Sequence, residues 1–169
     1  TYEFENVPAE ALDLIESLCP IRPNRRALSV SQDRLTEKTF LQDLGIATAP
    51  FADITSVEDL TQAIATIGTP SILKTRRFGY DGKGQVRLSA ETDPAQALAD
   101  LNNAPAILEG FVPFTKEVSV IAARGLTGDI ACFDPGENVH RDGILHTTNV
   151  PASLSASQRT DAILLAAKI

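Results

Sequence analysis

Apolar residues recur every three or four positions in five stretches of the chain, a spacing typical of helices that bury one face. The predicted helices cover residues 8–18, 31–44, 56–68, 93–103 and 155–169. Ser31 and Ser56 stand where a serine can cap the start of a helix. Gly45 and Gly68 stand where glycine commonly ends one. These signals make the second and third helices the best delimited.

Between these helices, short runs with alternating or continuous apolar residues predict β-strands. They cover residues 1–6, 71–75, 85–89, 106–113, 118–123, 130–133 and 139–148. We interpret 118–123 as a buried strand, and 139–148 as a hairpin that turns at Asp142-Gly143. The order of strand, loop, strand, helix and strand after residue 70 predicts a compact unit of the α/β (α+β) class.

Composition sets bounds on the function. The 169 residues suffice for one domain with a core, or for two small subdomains, and 43% of them are hydrophobic. The net charge of −7 argues against nucleic acid or an anionic membrane as the main partner. No apolar run approaches the length of about 18 residues that predicts a membrane span. Cys19 and Cys132 have no companions at metal-ligand spacing, and we expect two buried free thiols in a reducing cytoplasm.

The stretch Ser71–Gln85 concentrates positive charge in this acidic chain. It reads SILKTRRFGYDGKGQ, a short apolar run with Lys74 followed by a loop with three glycines. Successive backbone N–H groups in such a loop can surround phosphate oxygens. Arg76, Arg77 and Lys83 add charge to the same loop. The pattern indicates a local anion site.

Two common phosphate loops do not fit this stretch. A Walker A loop requires Ser or Thr after Gly-Lys, and Gly84 follows Lys83. A dinucleotide-binding loop requires a later glycine where Arg87 stands, and a helix there. The stretch is instead predicted to be a hairpin that folds over a ligand. The alternative is a glycine-rich surface hairpin with incidental charges.

Four further candidate residues lie outside the glycine loop. Arg34 and Lys38 lie on one face of the predicted second helix, where they are candidates for binding an anion. The alternative is that they are two solvated charges beside neighbouring carboxylates. Glu109 belongs to a strand that ends at Pro113, as a hinge between subdomains could. His140 lies on the hairpin, where a single histidine is more often structural than catalytic.

Several of these segments together resemble the N5-carboxyaminoimidazole ribonucleotide synthase family of ATP-grasp enzymes. The matching segments are residues 1–6 (TYEFEN), 32–34 (QDR), 37–38 (EK), 72–77 (ILKTRR), 79–85 (GYDGKGQ), 116–120 (KEVSV) and 137–140 (ENVH). They follow the family's order over nearly the whole chain. The heptapeptide 79–85 is close to diagnostic, whereas each shorter segment is weak by itself.

The resemblance implies an ATP-grasp fold, here a lid subdomain plus the first part of the larger C-terminal subdomain. Residues 1–28 would be the tail of an N-terminal Rossmann-like domain. Residues 29–110 would form the lid, and 111–169 the incomplete C-terminal subdomain. The chain is therefore expected to be a central fragment of a longer protein.

The resemblance also implies a reaction. Family members use ATP and Mg²⁺ to activate bicarbonate as carboxyphosphate and carboxylate 5-aminoimidazole ribonucleotide, in purine biosynthesis. The expected protein is cytoplasmic, a homodimer when full length, and without nucleic acid or membrane partners. Alternatives are another ATP-grasp carboxylase or ligase, of the ribonucleotide transformylase or biotin carboxylase type, a nucleotide-binding regulatory module, and a structural domain.

By resemblance, the nucleotide is held between two subdomains. Lys74 and Arg34 meet the phosphates under the glycine lid, residues 109–112 meet adenine, Glu117 accepts from the ribose hydroxyls, and His140 lies near the phosphates. The full set of expected ATP-binding residues is Arg34, Lys74, Gly79, Tyr80, Asp81, Gly82, Lys83, Gly84, Gln85, Glu109, Gly110, Phe111, Val112, Glu117 and His140.

For the ribonucleotide, the resemblance suggests Tyr80 and Lys83 at the lid tip, with Glu3 or Glu5 facing it from the first strand. The magnesium ligands of the family are expected beyond Ile169, so none is predicted within this chain. Without them, we expect poor ATP binding and no ATP hydrolysis by this chain alone.

Overall fold

The computed structural model describes residues 1–2, 4–79, 83–141 and 143–169. The chain divides into two compact units, Thr1–Phe111 and Val112–Ile169. Predictions for Glu3, for Tyr80, Asp81 and Gly82, and for Asp142 lie outside the described residues.

The first unit packs helices against one antiparallel sheet. Its described helices are α1 (Ala9–Glu16), α2 (Arg25–Ser31), α3 (Arg34–Asp43), α4 (Val57–Ile67) and α5 (Pro94–Asp100). Its described strands are β1 (Phe51–Ile54), β2 (Ser71–Thr75), β3 (Gln85–Leu88) and β4 (Ala106–Gly110). The strands are ordered β1-β4-β2-β3, so β2 and β4 lie at the centre of the sheet.

The apolar sides of α4 and α5 cover this sheet and form the main core. The buried residues of the core are Ile54, Leu60, Ala63, Leu73, Leu88, Ala97, Leu98, Leu101, Ala106 and Leu108. Ser56 accepts from the amide of Asp59, and Gly68 ends α4 at φ +87°, so the prediction of this helix is confirmed.

The prediction of one helix over 31–44 is wrong. Ser31 is the last residue of α2, a helix whose start Asn24 caps by accepting from the amide of Ala27. The next helix, α3, begins after Asp33, whose carboxylate accepts from the amides of Leu35 and Thr36. An aspartate cap two residues after the serine, rather than the serine itself, therefore sets the start of α3.

The prediction of a strand over 1–6 is also wrong for its described residues, since Glu5 and Asn6 form a turn. A strand requires a neighbour to pair with. Tyr2 instead donates from its hydroxyl to the carbonyl of Asn24 and packs beside a small cluster that includes Leu12. Of the apolar face predicted for α1, Leu12 is buried, whereas Ile15 and Leu18 are exposed.

The second unit contains two small antiparallel sheets and a helix. Its described elements are β5 (Glu117–Ser119), β6 (Ala122–Arg124), β7 (Ile130–Cys132), β8 (Gly136–Arg141), β9 (Ile144–Asn149) and α6 (Ala156–Lys168). One sheet has the order β5-β8-β9, and the other pairs β6 with β7. Ser155 and Gln158 cap α6 reciprocally.

The interpretation of 118–123 as one buried strand is wrong. The segment contributes to β5 and β6, which belong to different sheets, and Val118, Ala122 and Ala123 are exposed. Both cysteines are free, but Cys19 is exposed and Cys132 half-buried, so the expectation of buried thiols is wrong as well. Among the described helices, none has the length and apolar character needed to cross a membrane.

Candidate functional site

Two lysines of the first unit converge on one carboxylate oxygen. The Nζ atom of Lys74 lies 3.0 Å from Oε2 of Glu109, and the Nζ atom of Lys38 lies 3.4 Å from the same oxygen. All three side chains are largely sheltered, with exposed fractions of 22%, 18% and 10% for Lys74, Lys38 and Glu109. Two ammonium groups against one carboxylate leave one net positive charge.

The strand register places these groups together. Glu109 on β4 stands opposite Ile72 on β2, and Lys74 follows Ile72 by two residues on the same face of the sheet. Diagonal neighbours of this kind lie within reach of long side chains. Lys38 comes from α3, one helical turn after Arg34.

A second ionic contact ties the start of α3 to the end of β2. The guanidinium of Arg76 binds Asp33 through Nε at 3.1 and 3.0 Å and through Nη2 at 2.8 Å, and its Nη1 lies 3.3 Å from Asp53. The carbonyl of Arg76 accepts from the amide of Arg34 at 3.0 Å. Asp33 therefore caps α3 and also binds the guanidinium of Arg76. Together these contacts fix the start of α3 at Arg34.

The contact between Asp33 and Arg76 shifts the pKa values of both side chains. Desolvation raises the pKa of Asp33, but the hydrogen bonds from Arg76, Thr36 and Leu35 and the charge of Arg76 outweigh it, and the net pKa is lowered. Hydrogen bonding to Asp33 raises the pKa of Arg76 above its ordinary value. The pair is therefore ionised at neutral pH.

The two strands of the predicted glycine hairpin, which flank the undescribed residues 80–82, pair with each other. β2 and β3 pair with Lys74 opposite Gln85, and the amide of Thr75 donates to the carbonyl of Gly84 at 2.9 Å. Gly84 has φ +70°, and a Cβ there would lie 2.7 Å from Oγ1 of Thr75. This position therefore requires glycine.

Arg34 reaches the base of the same hairpin. Its Nη2 donates to the carbonyl of Gly79 at 3.3 Å. Arg34 and Gly79 also line an open cavity of about 280 Å³ with Glu5, Asn6, Ser31, Gln32, Glu37, Arg76, Arg77 and Phe78. The cavity has basic and acidic walls, and Glu5 is the described member of the predicted pair Glu3 and Glu5.

The predicted hinge has part of its backbone already engaged. The amide of Gly110 donates to the carbonyl of Pro50 at 2.9 Å, and that of Phe111 donates to the carbonyl of Pro70 at 3.2 Å. The guanidinium of Arg87 lies 4.6 Å from the centre of the Phe111 ring, a cation–π distance. These contacts fix the strand end that leads to Val112.

The second unit brings Glu117 and His140 together. The Nδ1 atom of His140 lies 3.6 Å from Oε1 of Glu117, and the side-chain amide of Asn138 donates from Nδ2 to the same oxygen at 3.2 Å. Thr148 donates to Asn138 Oδ1 at 2.9 Å. The predicted histidine and glutamate therefore share a polar cluster with two residues that were not predicted.

The structure thus places Arg34, Lys74 and Glu109 in the first unit, and Glu117 with His140 in the second. The boundary between the units falls inside the predicted hinge, between Phe111 and Val112. The expected set of ATP-binding residues leaves out Lys38 and Arg76, although both are candidate cations, and it also leaves out Asp33 and Asn138. The spacing of four residues between Arg34 and Lys38 is a signal for Lys38. No comparable local signal joins Asp33 to Arg76 or Asn138 to Glu117, since each pair depends on distant contacts.

No group of three or more His, Cys, Asp or Glu side chains is placed to hold a metal ion within residues 1–2, 4–79, 83–141 and 143–169. Of the residues predicted at the lid tip, Lys83 lies within the described part of the chain.

Known proteins share this sequence and fold. The N5-carboxyaminoimidazole ribonucleotide synthase of Brucella melitensis is 52% identical over 171 residues, which cover 100% of this chain and 47% of that protein. The enzyme of the same name from Pseudomonas aeruginosa is 48% identical over 145 residues, covering 86% of this chain and 40% of that protein. The chain spans about half the length of the curated relatives it matches.

A solved structure agrees with this similarity. The ADP complex of an N5-carboxyaminoimidazole ribonucleotide synthetase superimposes with a TM-score of 0.92 at 41% identity, over 99% of this chain and 45% of that one. The family model for the ATP-grasp domain matches residues 39–169. With its mixture of helices and antiparallel sheet, the chain belongs to the ATP-grasp family.

Proposed function

We propose that the protein containing this chain is an ATP-dependent ligase that carboxylates 5-aminoimidazole ribonucleotide with bicarbonate, forming N5-carboxyaminoimidazole ribonucleotide in purine biosynthesis. The observation that carries the proposal is the pair of sheltered ammonium groups, Lys74 and Lys38, beside a glycine hairpin in a chain 52% identical to a synthase of that name. Residues 1–28, 29–110 and 111–169 are proposed as the Rossmann-like tail, the lid and the start of the C-terminal subdomain.

The cationic cluster suits a polyphosphate. Among the described residues, Lys74 and Lys38 both pair with Glu109, and Glu37 lies in the field of the same lysines and of Arg34. Three cations thus face two carboxyl groups, so an incoming phosphate oxygen meets excess positive charge. Partial burial strengthens this attraction relative to bulk water. Arg34 adds a guanidinium with fixed geometry at the base of the hairpin, where it already donates to Gly79. In phosphoryl transfer such groups neutralise the developing charge without a covalent nucleophile.

The hairpin Gly79–Gln85 is proposed to cover the phosphates and exclude water. Carboxyphosphate hydrolyses readily, so its transfer to an amine requires a closed site. The tight approach of Gly84 to Thr75 fixes one end of this hairpin. Tyr80 and Lys83 are proposed to contact the ribonucleotide, with Glu3 or Glu5 opposite.

The hinge Glu109–Val112 is proposed to contact adenine. The amides of Gly110 and Phe111 already have acceptors, and Oε2 of Glu109 holds two lysines. The amide of Val112 has no acceptor among the described residues and is the donor available to a ring nitrogen. Phe111 and Val112 would supply apolar contact to the base.

Glu117 and His140 are proposed as the contribution of the second unit. A carboxylate accepts from both hydroxyls of a ribose, and an imidazole can donate to phosphate oxygens. Magnesium, when bound, would neutralise negative charge on the phosphates. As the resemblance to the family implies, its ligands are proposed to lie beyond Ile169. We further propose a cytoplasmic homodimer.

The test is a product assay on the full-length protein with ATP, bicarbonate and 5-aminoimidazole ribonucleotide. We expect ADP release that depends on both other substrates, and a carboxylated imidazole product. Glycinamide ribonucleotide with formate serves as the matched alternative substrate. Turnover with that pair, or with another carboxyl acceptor and not with aminoimidazole ribonucleotide, would support a different ATP-grasp ligase instead.

A further inference from the structure

Three polar side chains form a row across the three-stranded sheet of the second unit. The strand order is β5-β8-β9, and the antiparallel register places Glu117 opposite Asn138 and Asn138 opposite Thr148. Residues directly opposite each other project from the same face of a sheet at close range. The three side chains can therefore bond to one another in series.

The amide of Asn138 joins the two ends of this row. Its Nδ2 donates to Oε1 of Glu117 at 3.2 Å, and its Oδ1 accepts from Oγ1 of Thr148 at 2.9 Å. Ser119 adds a longer hydrogen bond to Oδ1, at 3.4 Å. Rotating the amide by half a turn would place Oδ1 against the Glu117 carboxylate, where two acceptors face each other without a proton. The row thus has one favourable orientation.

Gly136 provides space for the Thr148 side chain. A Cβ at position 136 would lie 2.6 Å from Cγ2 of Thr148, so the threonine methyl occupies the space that a side chain there would need. With its methyl packed over Gly136, Thr148 has its hydroxyl on Asn138. The rotamer of a β-branched residue is stiff, so this packing holds the hydroxyl in place.

We propose that Asn138 and Thr148 are positioning residues that orient the Glu117 carboxylate toward the two hydroxyls of a ribose. The inference rests on the proposed function, in which Glu117 accepts from those hydroxyls. Asn138 holds Oε1, whereas no donor lies within hydrogen-bond distance of Oε2 among the described residues. One anchored oxygen leaves the other at a fixed angle for a vicinal diol, which reduces the ordering cost of binding.

The test compares ATP with 2′,3′-dideoxy-ATP in binding titrations of the full-length protein. The measured quantity is the ratio of the two dissociation constants, because a general loosening of the fold weakens both nucleotides and leaves the ratio unchanged. We expect the wild-type protein to favour ATP by about 10-fold to 100-fold, as hydrogen bonds to a carboxylate predict. Thr148→Val, which replaces a hydroxyl by a methyl, should reduce this preference by about 3-fold to 10-fold.

Three further variants control the result. Thr147→Val makes the same change one residue away, on the opposite face of β9, and should keep the wild-type ratio. Thr148→Ser retains the hydroxyl but lacks the methyl that packs over Gly136, so it should keep more of the preference than Thr148→Val does. Asn138→Asp removes the donor to Glu117 and should reduce the preference at least as much as Thr148→Val, which provides a second measurement if the valine variant is unstable.

The outcomes separate the inference from the proposed function. A wild-type protein that does not bind ATP, or that binds both nucleotides equally, overturns the role of Glu117 and the inference together. A wild-type preference that persists unchanged in Thr148→Val and Asn138→Asp overturns the inference and leaves the proposed function standing. A preference lost in those two variants and retained in Thr147→Val supports the inference.

Discussion

The two units hold their candidate site residues by different kinds of interaction. In the first unit, the side chains of Lys38, Lys74 and Glu109 are sheltered, and each lysine is held by its attraction to the Glu109 carboxylate. In the second, Glu117 is held by the neutral amide of Asn138, on a strand pair that is largely exposed. Sheltered charges attract over several ångströms, whereas a neutral hydrogen bond depends on distance and angle. Removing the charge of a side chain should therefore disturb the cluster of the first unit more than that of the second. Changing the shape of a side chain should disturb the cluster of the second unit more.

The two clusters also differ in how deeply the residues around them are buried. Among the described residues, the buried aliphatic side chains all belong to the first unit, from Leu12 to Leu108, whereas the second unit fully buries Pro135. In the second unit, as far as this chain extends, every residue of β9 is exposed. Lys74 therefore extends from a strand anchored in a core, whereas Thr148 extends from a strand with little burial. Four experiments test this contrast.

The largest effect is expected from removing core contacts next to Lys74. Leu73 is fully buried in the centre of the sheet, and Leu73→Ala should lower the free energy of unfolding by about 2–5 kcal/mol. The matched variant Leu145→Ala, on exposed β9, should lower it by less than about 0.5 kcal/mol. Urea denaturation followed by circular dichroism measures both. Equal losses would show that the two units do not differ in burial as described.

The next effect concerns ligand affinity. Lys74→Met should weaken ATP binding by about 10-fold to 100-fold, because it removes a charge-assisted hydrogen bond to phosphate. Glu109 keeps Lys38 as a partner, so the fold should survive. Lys168→Met, at the exposed end of α6, removes the same charge elsewhere and should leave the affinity unchanged. Calorimetric titration of the full-length protein decides, and unaltered ATP binding in Lys74→Met would contradict the proposed phosphate site.

A smaller effect is expected at the Asp33–Arg76 contact. Asn caps helices about as well as Asp, so Asp33→Asn removes the charge and keeps the cap. We expect a loss of about 1–2 kcal/mol at pH 7, with allowance for the solvent around the pair. Asp43→Asn, at the other end of α3, is the matched control.

The pH dependence of this loss follows from the lowered pKa of Asp33. A carboxyl whose pKa is lowered by folding contributes stability that is fully present above its unfolded pKa of about 3.9. That contribution is lost as the pH falls through the folded value. Wild type and Asp33→Asn should therefore differ most at neutral pH and converge in acid. A difference in stability that stays constant down to low pH would contradict the ion pair as its source.

The smallest effect is expected at an ion pair of the second unit. Lys116 binds Glu137 at 3.0 Å, and the lysine side chain is 42% exposed. Solvent and salt screen such a pair, so Lys116→Met should leave the urea midpoint unchanged within error. A double-mutant cycle on Lys74 and Glu109 should in contrast give a measurable coupling. A larger coupling for the exposed pair would reverse the comparison.

The sequence by itself determined the elements with strong local signals. The helix after Ser56, the strand Ser71–Thr75 and the strand that begins at Gln85 follow from periodicity, capping and backbone freedom. Each of these signals acts over a few residues. The resemblance of the segment 79–85 to a known family extended them to a fold, which the ATP-grasp match confirms.

Only the tertiary structure decided which charges meet. Lys38 and Lys74 share Glu109 because the register of β2 on β4 and the packing of α3 bring three distant segments together. Asp33 caps α3, while Ser31, an equally good cap by type, ends the preceding helix. The alternation over residues 1–6 forms no strand among its described residues, since pairing requires a neighbour that local sequence does not specify.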